Sequence, residues 1–176
     1  ESLLDFSRIE ARTVHYRFEE LDPAALVRDL VGEFQHKAAA QDCQVELACP
    51  GEHPPIRADR EALRLALWNL LDNALKYSPD CRTIWVEITP NGAHLAIRVR
   101  DQGMGVPASE QKEIFKKFVR GAGSRASQIK GAGIGLTMAR HIVEAHHGEI
   151  RLESVPGQGS TFTVLLPLLS LEQKGS

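Results

Sequence analysis

Amphipathic helical segments alternate with pairs of strands along this chain, and this order restricts the possible folds. The segments that follow Asp22 and Asp59 carry apolar residues at helical spacing, and Asp22 is placed to cap its helix. Two pairs of alternating strands lie near 83–101 and 149–167, joined by the turn sequences PNG and PGQG. Because no regular strand–helix–strand repeat is present, we predict a two-layer α/β sandwich with a largely antiparallel sheet.

The composition excludes several classes of protein. The chain has 176 residues, of which 43% are hydrophobic and 25% charged, and its net charge is −2. These values predict one folded domain without a nucleic-acid or anionic-membrane surface. No apolar run approaches the roughly 20 residues of a membrane span. The three cysteines form no C-x-x-C pair, which favours reduced thiols and a cytoplasmic location. His146 and His147 are interpreted as the polar end of a helix.

Three glycines, Gly131, Gly133 and Gly135, stand at every second position before an apolar-periodic segment. A helix start with free backbone N–H groups attracts phosphate. The dinucleotide fingerprint requires a strand directly before its glycines, whereas a polar loop precedes these, and the chain contains no Walker sequence. Taken alone, the motif is equally typical of a tight loop-to-helix turn.

The helix predicted after Asp59 has two different faces. One face is apolar, and Asn69, Asn73 and Lys76 lie on the opposite face at i, i+4 and i+7. A single asparagine there would indicate only a solvated surface. Two are harder to explain that way, because asparagine is a poor helix former. Amide oxygens suit Mg²⁺ bound to phosphates, and a lysine can bind phosphate as a point charge.

Asp101 stands at the end of a predicted strand and on the same face as the apolar residues of that strand. We therefore predict that its side chain is buried. A buried carboxylate needs hydrogen-bond donors, and an ionised one only accepts. It therefore suits the exocyclic amine of adenine and disfavours the carbonyl that guanine presents there. Gly103 and Gly105 follow directly and allow a close approach of the backbone. A strand-end turn capped by aspartate is the alternative.

Five ordered segments, NLLDNALKYS, DQGMGV, IFKKFVRG, GAGIGL and GQGSTFTV, together resemble the ATP-binding catalytic domain of sensor histidine kinases. That family belongs to the Bergerat-fold superfamily, with type II topoisomerases, MutL and heat-shock chaperones. The resemblance covers about residues 20–168. It implies a mixed, mostly antiparallel sheet of about five strands, covered on one face by about three helices. It further implies a flexible ATP lid at about 106–133 within a catalytic domain at 15–169. Residues 1–14 resemble the end of a second dimerisation helix and a linker, and 170–176 form a tail.

The resemblance also assigns roles to residues. Asn73 would bind Mg²⁺ with help from Asn69, and Lys76 and Tyr77 would lie along the phosphates and ribose. Asp101 would hold the adenine amine, with Gly103 and Gly105 beneath the base. Thr161 would lie close to the adenine edge. Many relatives carry Gln or Thr where this chain has Ala132. For Phe115 and Phe118, anchoring of the lid to the core is the alternative role. The ATP-binding set implied is Asn69, Asn73, Lys76, Tyr77, Asp101, Gly103, Gly105, Val106, Phe115, Phe118, Arg120, Lys130, Gly131, Gly133, Ile134, Gly135, Leu136 and Thr161, with Asn69, Asn73 and Lys76 as the catalytic group.

The expected activity is transfer of the γ-phosphate of Mg-ATP to a histidine on a dimerisation domain, with a response regulator as an indirect partner. No histidine of this chain, His15 included, has the context of an acceptor, so we expect a monomeric fragment of a longer kinase. Three alternatives remain: a hydrolytic ATPase of the topoisomerase or MutL type, a serine kinase of the anti-sigma-factor type, and a nucleotide sensor without activity. Position 69 separates the first from a kinase, since such ATPases resemble one another in carrying a glutamate there.

Overall fold

The computed structural model describes residues 15–80, 82–116 and 133–169, which form two layers. One layer contains three helices, α1 (Pro23–Ala39), α2 (Arg60–Lys76) and α3 (Gly135–Ala145). The other is a five-stranded sheet of β2 (Gln44–Ala48), β4 (Thr83–Asn91), β5 (His94–Arg100), β6 (Glu149–Val155) and β7 (Gly159–Pro167). A short pair, β1 (Glu19–Leu21) and β3 (Ile56–Ala58), forms a second sheet. The predicted two-layer sandwich is confirmed.

The large sheet has the strand order β2-β4-β5-β7-β6. Only the β2–β4 pair is parallel among the described strands, and the other three pairs are antiparallel. The sheet is therefore mixed and mostly antiparallel, as the resemblance implied. In its centre Val99 of β5 pairs with both Val86 of β4 and Phe162 of β7. Asp101 directly follows the last residue of β5, and its backbone N–H donates to the carbonyl of Ser160.

The core lies between the helices and one face of the sheet. The apolar face of α2 is buried there, with Leu63, Leu67 and Leu70 at most 1% exposed. From the sheet, Ile97, Val99 and Phe162 point to the same side and are equally buried. The opposite face of the sheet carries polar pairs such as Glu87 with Arg98. This alternation fixes which side chains at the strand ends can face the helix layer.

An aspartate caps each of the helices α1 and α2, and the predicted cap at Asp22 is confirmed. The carboxylate of Asp22 accepts from the N–H groups of Ala24 and Ala25 at 2.8 and 3.2 Å, and Pro23 begins α1. Asp59 accepts from the N–H of Ala62 at 2.9 Å at the start of α2. The aspartates satisfy donors that the first helical turn leaves free.

The sequence did not predict the strands β1 and β3, because three residues are too few to show alternation. Cys43 is disulfide-bonded, so the expectation of reduced thiols is wrong for this residue, whereas Cys49 is free. Among the described residues, none of the helices is both long and apolar enough to span a bilayer.

Candidate nucleotide-binding site

Asp101 is buried at the end of β5, as its parity predicted, and is 5% exposed. Its Oδ1 accepts from the N–H of Gly103 at 2.7 Å, from the N–H of Ser160 at 3.3 Å and from Ser78 Oγ at 3.4 Å. Within the described part of the chain all hydrogen bonds to this carboxylate go to Oδ1, so Oδ2 remains available to a ligand. Burial raises the pKa of Asp101, and these three hydrogen bonds offset part of the increase.

Glycines beside Asp101 bring backbone segments unusually close together. A Cβ on Gly103 would collide with the carbonyl oxygen of Tyr77 and lie 2.9 Å from Asp101 Oδ1. Gly105 has a φ of 68°, and a Cβ there would collide with the carbonyl oxygen of Val155. Both positions therefore require glycine for packing, and this packing also shapes the surroundings of Asp101. A contact of either glycine with a base stays a prediction.

The β7 residue beside Asp101 is Ser160 rather than Thr161. Ser160 is buried, donates its N–H to Asp101 and shares a 2.9 Å hydrogen bond with Ser154 through its Oγ. Thr161 pairs with Arg100, whose guanidinium lies over the ring of Trp85 on the outer face of the sheet. The position of Thr161 near adenine stays a prediction, and Ser160 is the β7 residue that contacts Asp101. Because side chains alternate along a strand, Ser160 and Phe162 share the buried face of β7, and the sequence could have identified Ser160 in this way.

Asn69 of α2 contacts the beginning of α3. Asn69 donates to Met138 Sδ at 3.7 Å, and its Oδ1 lies 3.4 Å from where a Cβ on Gly135 would stand. Asn73 is half-buried one turn later, and no described group hydrogen-bonds its side chain. No described side chain caps α3, and its first turn contains no acidic residue. The N–H groups at this helix start are therefore available to an anion.

Lys76 points away from these amides in the structure. Its Nζ lies 2.6 Å from Asp72 Oδ2, on the side of α2 that faces α1. Tyr77 follows as the C-terminal cap of α2, and its carbonyl accepts from the N–H of Met104. Placement of Lys76 and Tyr77 along phosphates and ribose stays a prediction.

Two contacts fasten the described first part of the expected lid. At its start the N–H of Val106 donates to Ser154 Oγ at 2.8 Å. Further along, the Phe115 carbonyl accepts from Thr137 Oγ1 at 3.0 Å, and the Phe115 ring packs against Phe162. The contacts of Phe115 are of the kind expected if this residue anchors the lid to the core. Ile134 is buried before α3, Gly133 has a φ of 70°, and Leu136 is half-buried in the first turn. Phe118, Arg120, Lys130, Gly131 and Ala132 lie outside the described residues, as do 1–14 and 170–176.

His146 was not recognised from the sequence. Instead of forming a polar helix end, it is 2% exposed, and its Nε2 accepts from the N–H of Asp59 at 2.9 Å. Its Nδ1 therefore carries the proton and donates to the carbonyl of Ile142 at 2.7 Å. Burial lowers the pKa of His146, and its hydrogen bonds offset only part of that decrease. This contact joins the end of α3 to the beginning of α2.

The fold and the arrangement around Asp101 define an α/β sandwich with a buried carboxylate, two helix amides and an uncapped helix start in one region. Residues 58–170 match the family described as histidine kinase-, DNA gyrase B- and HSP90-like ATPase. The chain belongs to this ATPase-domain family, and the predicted relationship to sensor histidine kinases is confirmed.

Similar curated proteins are histidine kinases. The chain is 35% identical over 167 residues to the circadian input-output histidine kinase CikA of Synechococcus elongatus, covering 94% of this chain and 22% of that protein. It is 35% identical over 170 residues to the adaptive-response sensory kinase SasA of a Synechococcus species, covering 96% of this chain and 45% of that protein. The chain thus spans less than half the length of these relatives.

Solved structures agree on the fold. Full-length ShkA in complex with AMPPNP matches with a TM-score of 0.84 at 24% identity, over 96% of this chain and 35% of that chain. A nucleotide-free catalytic domain of the histidine kinase ThkA matches with a TM-score of 0.74 at 23% identity, over 86% of this chain and 96% of that chain. The fold is therefore that of a histidine kinase catalytic domain.

Proposed function

We propose that this domain binds Mg-ATP, with adenine held by Asp101, and passes the γ-phosphate to a histidine on a dimerisation domain. The observation that carries the proposal is the buried Asp101 carboxylate, whose hydrogen bonds within the described residues leave Oδ2 available. An ionised carboxylate can accept from the exocyclic amine of adenine. A buried acceptor without a ligand would be costly, whereas the amine satisfies it.

The phosphate end of the proposed site is the region where α2 meets α3. The uncapped N–H groups of α3 suit phosphate oxygens, and the Asn73 amide oxygen suits Mg²⁺ already bound to them. Mg²⁺ would neutralise charge between the β- and γ-phosphates. Asn69 lies beside Gly135 and would position the same end. These donor types fit a magnesium–polyphosphate group.

Transfer rather than hydrolysis follows from the absence of a suitable base on this face of α2. A hydrolase needs a general base near the attacking water, and the side chain at position 69 is an amide. The nearest carboxylate on the helix is Asp72, which is bound to two lysines on the side toward α1. An imidazole acceptor brings its own lone pair and needs mainly positioning. A histidine is therefore the acceptor we propose.

The wider setting of the domain is part of the same proposal. The relatives are longer proteins named as sensory kinases, which supports a partner dimerisation domain and an indirect response regulator. We propose a cytoplasmic location, a monomeric state for the chain alone and Mg²⁺ as the metal. Nucleic acid and membrane lipid are not proposed as partners, in line with the net charge of −2.

The test is phosphotransfer from γ-labelled ATP to an added dimerisation domain that carries an acceptor histidine. The expected result is an acid-labile, base-stable label on that domain, with slow ATP hydrolysis and no label on the chain itself. Asn73→Ala should remove most of the transfer while binding of metal-free ADP changes little, because the amide acts through Mg²⁺.

Other outcomes would replace this proposal. Rapid ATP turnover by the chain alone, abolished by Asn73→Ala, would establish a hydrolytic ATPase. An acid-stable label on the partner would establish serine as the acceptor. Calorimetry that shows no binding of ADP or ATP to the wild-type chain would remove the nucleotide site altogether.

A further inference from the structure

Asp72 binds two lysines from different helices with its two oxygens. Oδ1 lies 2.5 Å from the Nζ of Lys37 on α1, and Oδ2 lies 2.6 Å from the Nζ of Lys76 on α2. The Asp72 side chain is 17% exposed, against 41% and 43% for the two lysines. The carboxylate is therefore the fixed centre of this cluster.

The α1 side of the cluster is held in place by aromatic rings. Lys37 Nζ lies 5.8 Å from the ring centre of Phe34 and 5.7 Å from that of Trp68. Burial alone would raise the pKa of Asp72, but the hydrogen bonds and charges of Lys37 and Lys76 outweigh it and lower the pKa. Asp72 is consequently ionised at neutral pH and holds its cations on the α1 side.

Lys76 can reach either side of α2. At 100° per residue, it lies about 40° from Asp72 and about 60° from Asn73 around the helix. Asn69 and Asn73 occupy the side toward the phosphate end proposed above, and Asp72 occupies the side toward α1. Two anions can therefore compete for the ammonium of Lys76: the Asp72 carboxylate and the polyphosphate of the proposed ligand.

We propose that Asp72 is a positioning residue that holds Lys76 toward α1 and competes with the nucleotide phosphates for it. This inference rests on the proposed function, since it requires a polyphosphate at the junction of α2 and α3. Binding of a triphosphate breaks the Asp72–Lys76 pair, so the carboxylate lowers nucleotide affinity through that lysine. Adenosine, which has no phosphates, does not engage Lys76.

The first test measures calorimetric affinity for a non-hydrolysable ATP analogue with Mg²⁺. Asp72→Asn should tighten binding roughly 2- to 5-fold, the value of an exposed ion pair. In a Lys76→Met background the same substitution should change nothing, because no ammonium remains to be released. Asp72→Glu should restore weaker, wild-type-like binding. Adenosine should bind all variants equally.

Glu33→Gln is the matched control, because Glu33 forms an ion pair with Arg64 between the same two helices and does not contact Lys76. It should leave the affinity for the analogue unchanged.

The inference is overturned if Asp72→Asn weakens analogue binding, or if it tightens binding equally in the Lys76→Met background. If the wild-type chain does not bind the analogue at all, the proposed function itself fails. If the wild type binds and the Asp72 variants do not differ from it, only the role of Asp72 fails.

Discussion

At the scale of single residues, Asp101 concentrates the chemistry of the site because it is a charged group held in a buried position. Three donors satisfy Oδ1, and burial still raises the pKa of the carboxyl. The free-energy cost of burying Oδ2 is not offset by a hydrogen bond within the described residues. A further donor therefore stabilises the carboxylate most at Oδ2. We therefore expect a ligand amine to bind more favourably here than at an exposed aspartate.

Replacement of Asp101 by Asn tests this directly. The amide can keep the Oδ1 contacts but presents a donor where the carboxylate presented an acceptor. Loss of a charge-assisted hydrogen bond of about 1.5–3 kcal/mol should weaken ADP binding roughly 10- to 150-fold. Calorimetry provides the measurement, with Asp42→Asn at a distant turn as the control and GTP as a ligand that the wild type should bind poorly. Equal ADP affinity for wild type and Asp101→Asn would exclude the assignment.

The sequence predicted some side-chain positions and not others, for identifiable reasons. Strand parity placed Asp101 on the buried face, because side chains alternate strictly along a strand. The same rule applied to β7 places Ser160, and not Thr161, on the side of Asp101, which the family pattern alone did not distinguish. Lys76 was predicted from its helix face alone. Its pairing with Asp72 depends on rotamers and on Lys37, which no sequence pattern specifies.

At the scale of elements, local signals account for the helices and the hairpins. Asp22 and Pro23 fix the start of α1 because they satisfy or remove donors that the first turn leaves unpaired. Alternation over seven or more residues and a turn with Gly92 at positive φ define the β4–β5 hairpin. By contrast, β1 and β3 form by pairing with each other across 35 or more residues, and Ile56 of β3 also bridges to Leu168. Such non-local pairing leaves no local pattern.

Asp22→Ala tests the contribution of one cap. The two N–H groups that Asp22 accepts from would lose their partner, which costs about 1 kcal/mol of the free energy of unfolding. Urea denaturation followed by circular dichroism measures the change. Asp29→Ala, at an exposed position of the same helix, should alter the stability by less than about 0.5 kcal/mol. Equal effects of both substitutions would show that the Asp22 cap contributes nothing specific.

At the scale of the whole molecule, His146 joins three parts of the chain. Its ring accepts from the N–H of Asp59 at the start of α2 and packs against Tyr16 and Phe18 ahead of β1. The backbone N–H of Arg17 donates to Asp59 Oδ2 at 2.7 Å and closes the same cluster. The incoming segment, the amide-bearing helix and the end of α3 are therefore tied together at one neutral imidazole.

Burial lowers the pKa of His146 in the folded state, and its hydrogen bonds with the backbone of Ile142 and Asp59 offset only part of the decrease. The charge of Asp59 partly opposes the decrease, and that of His147 adds to it. Unfolded histidine takes up a proton near pH 6.5, so stability should be complete above that pH. Below it, the free energy of unfolding should fall by up to about 1.4 kcal/mol per pH unit.

His146→Gln, compared by denaturation between pH 8 and pH 5, should be less stable at neutral pH but should show a smaller decrease on acidification. The exposed His141→Gln should parallel the wild type, and a His146→Gln profile parallel to it as well would exclude His146 as the group responsible.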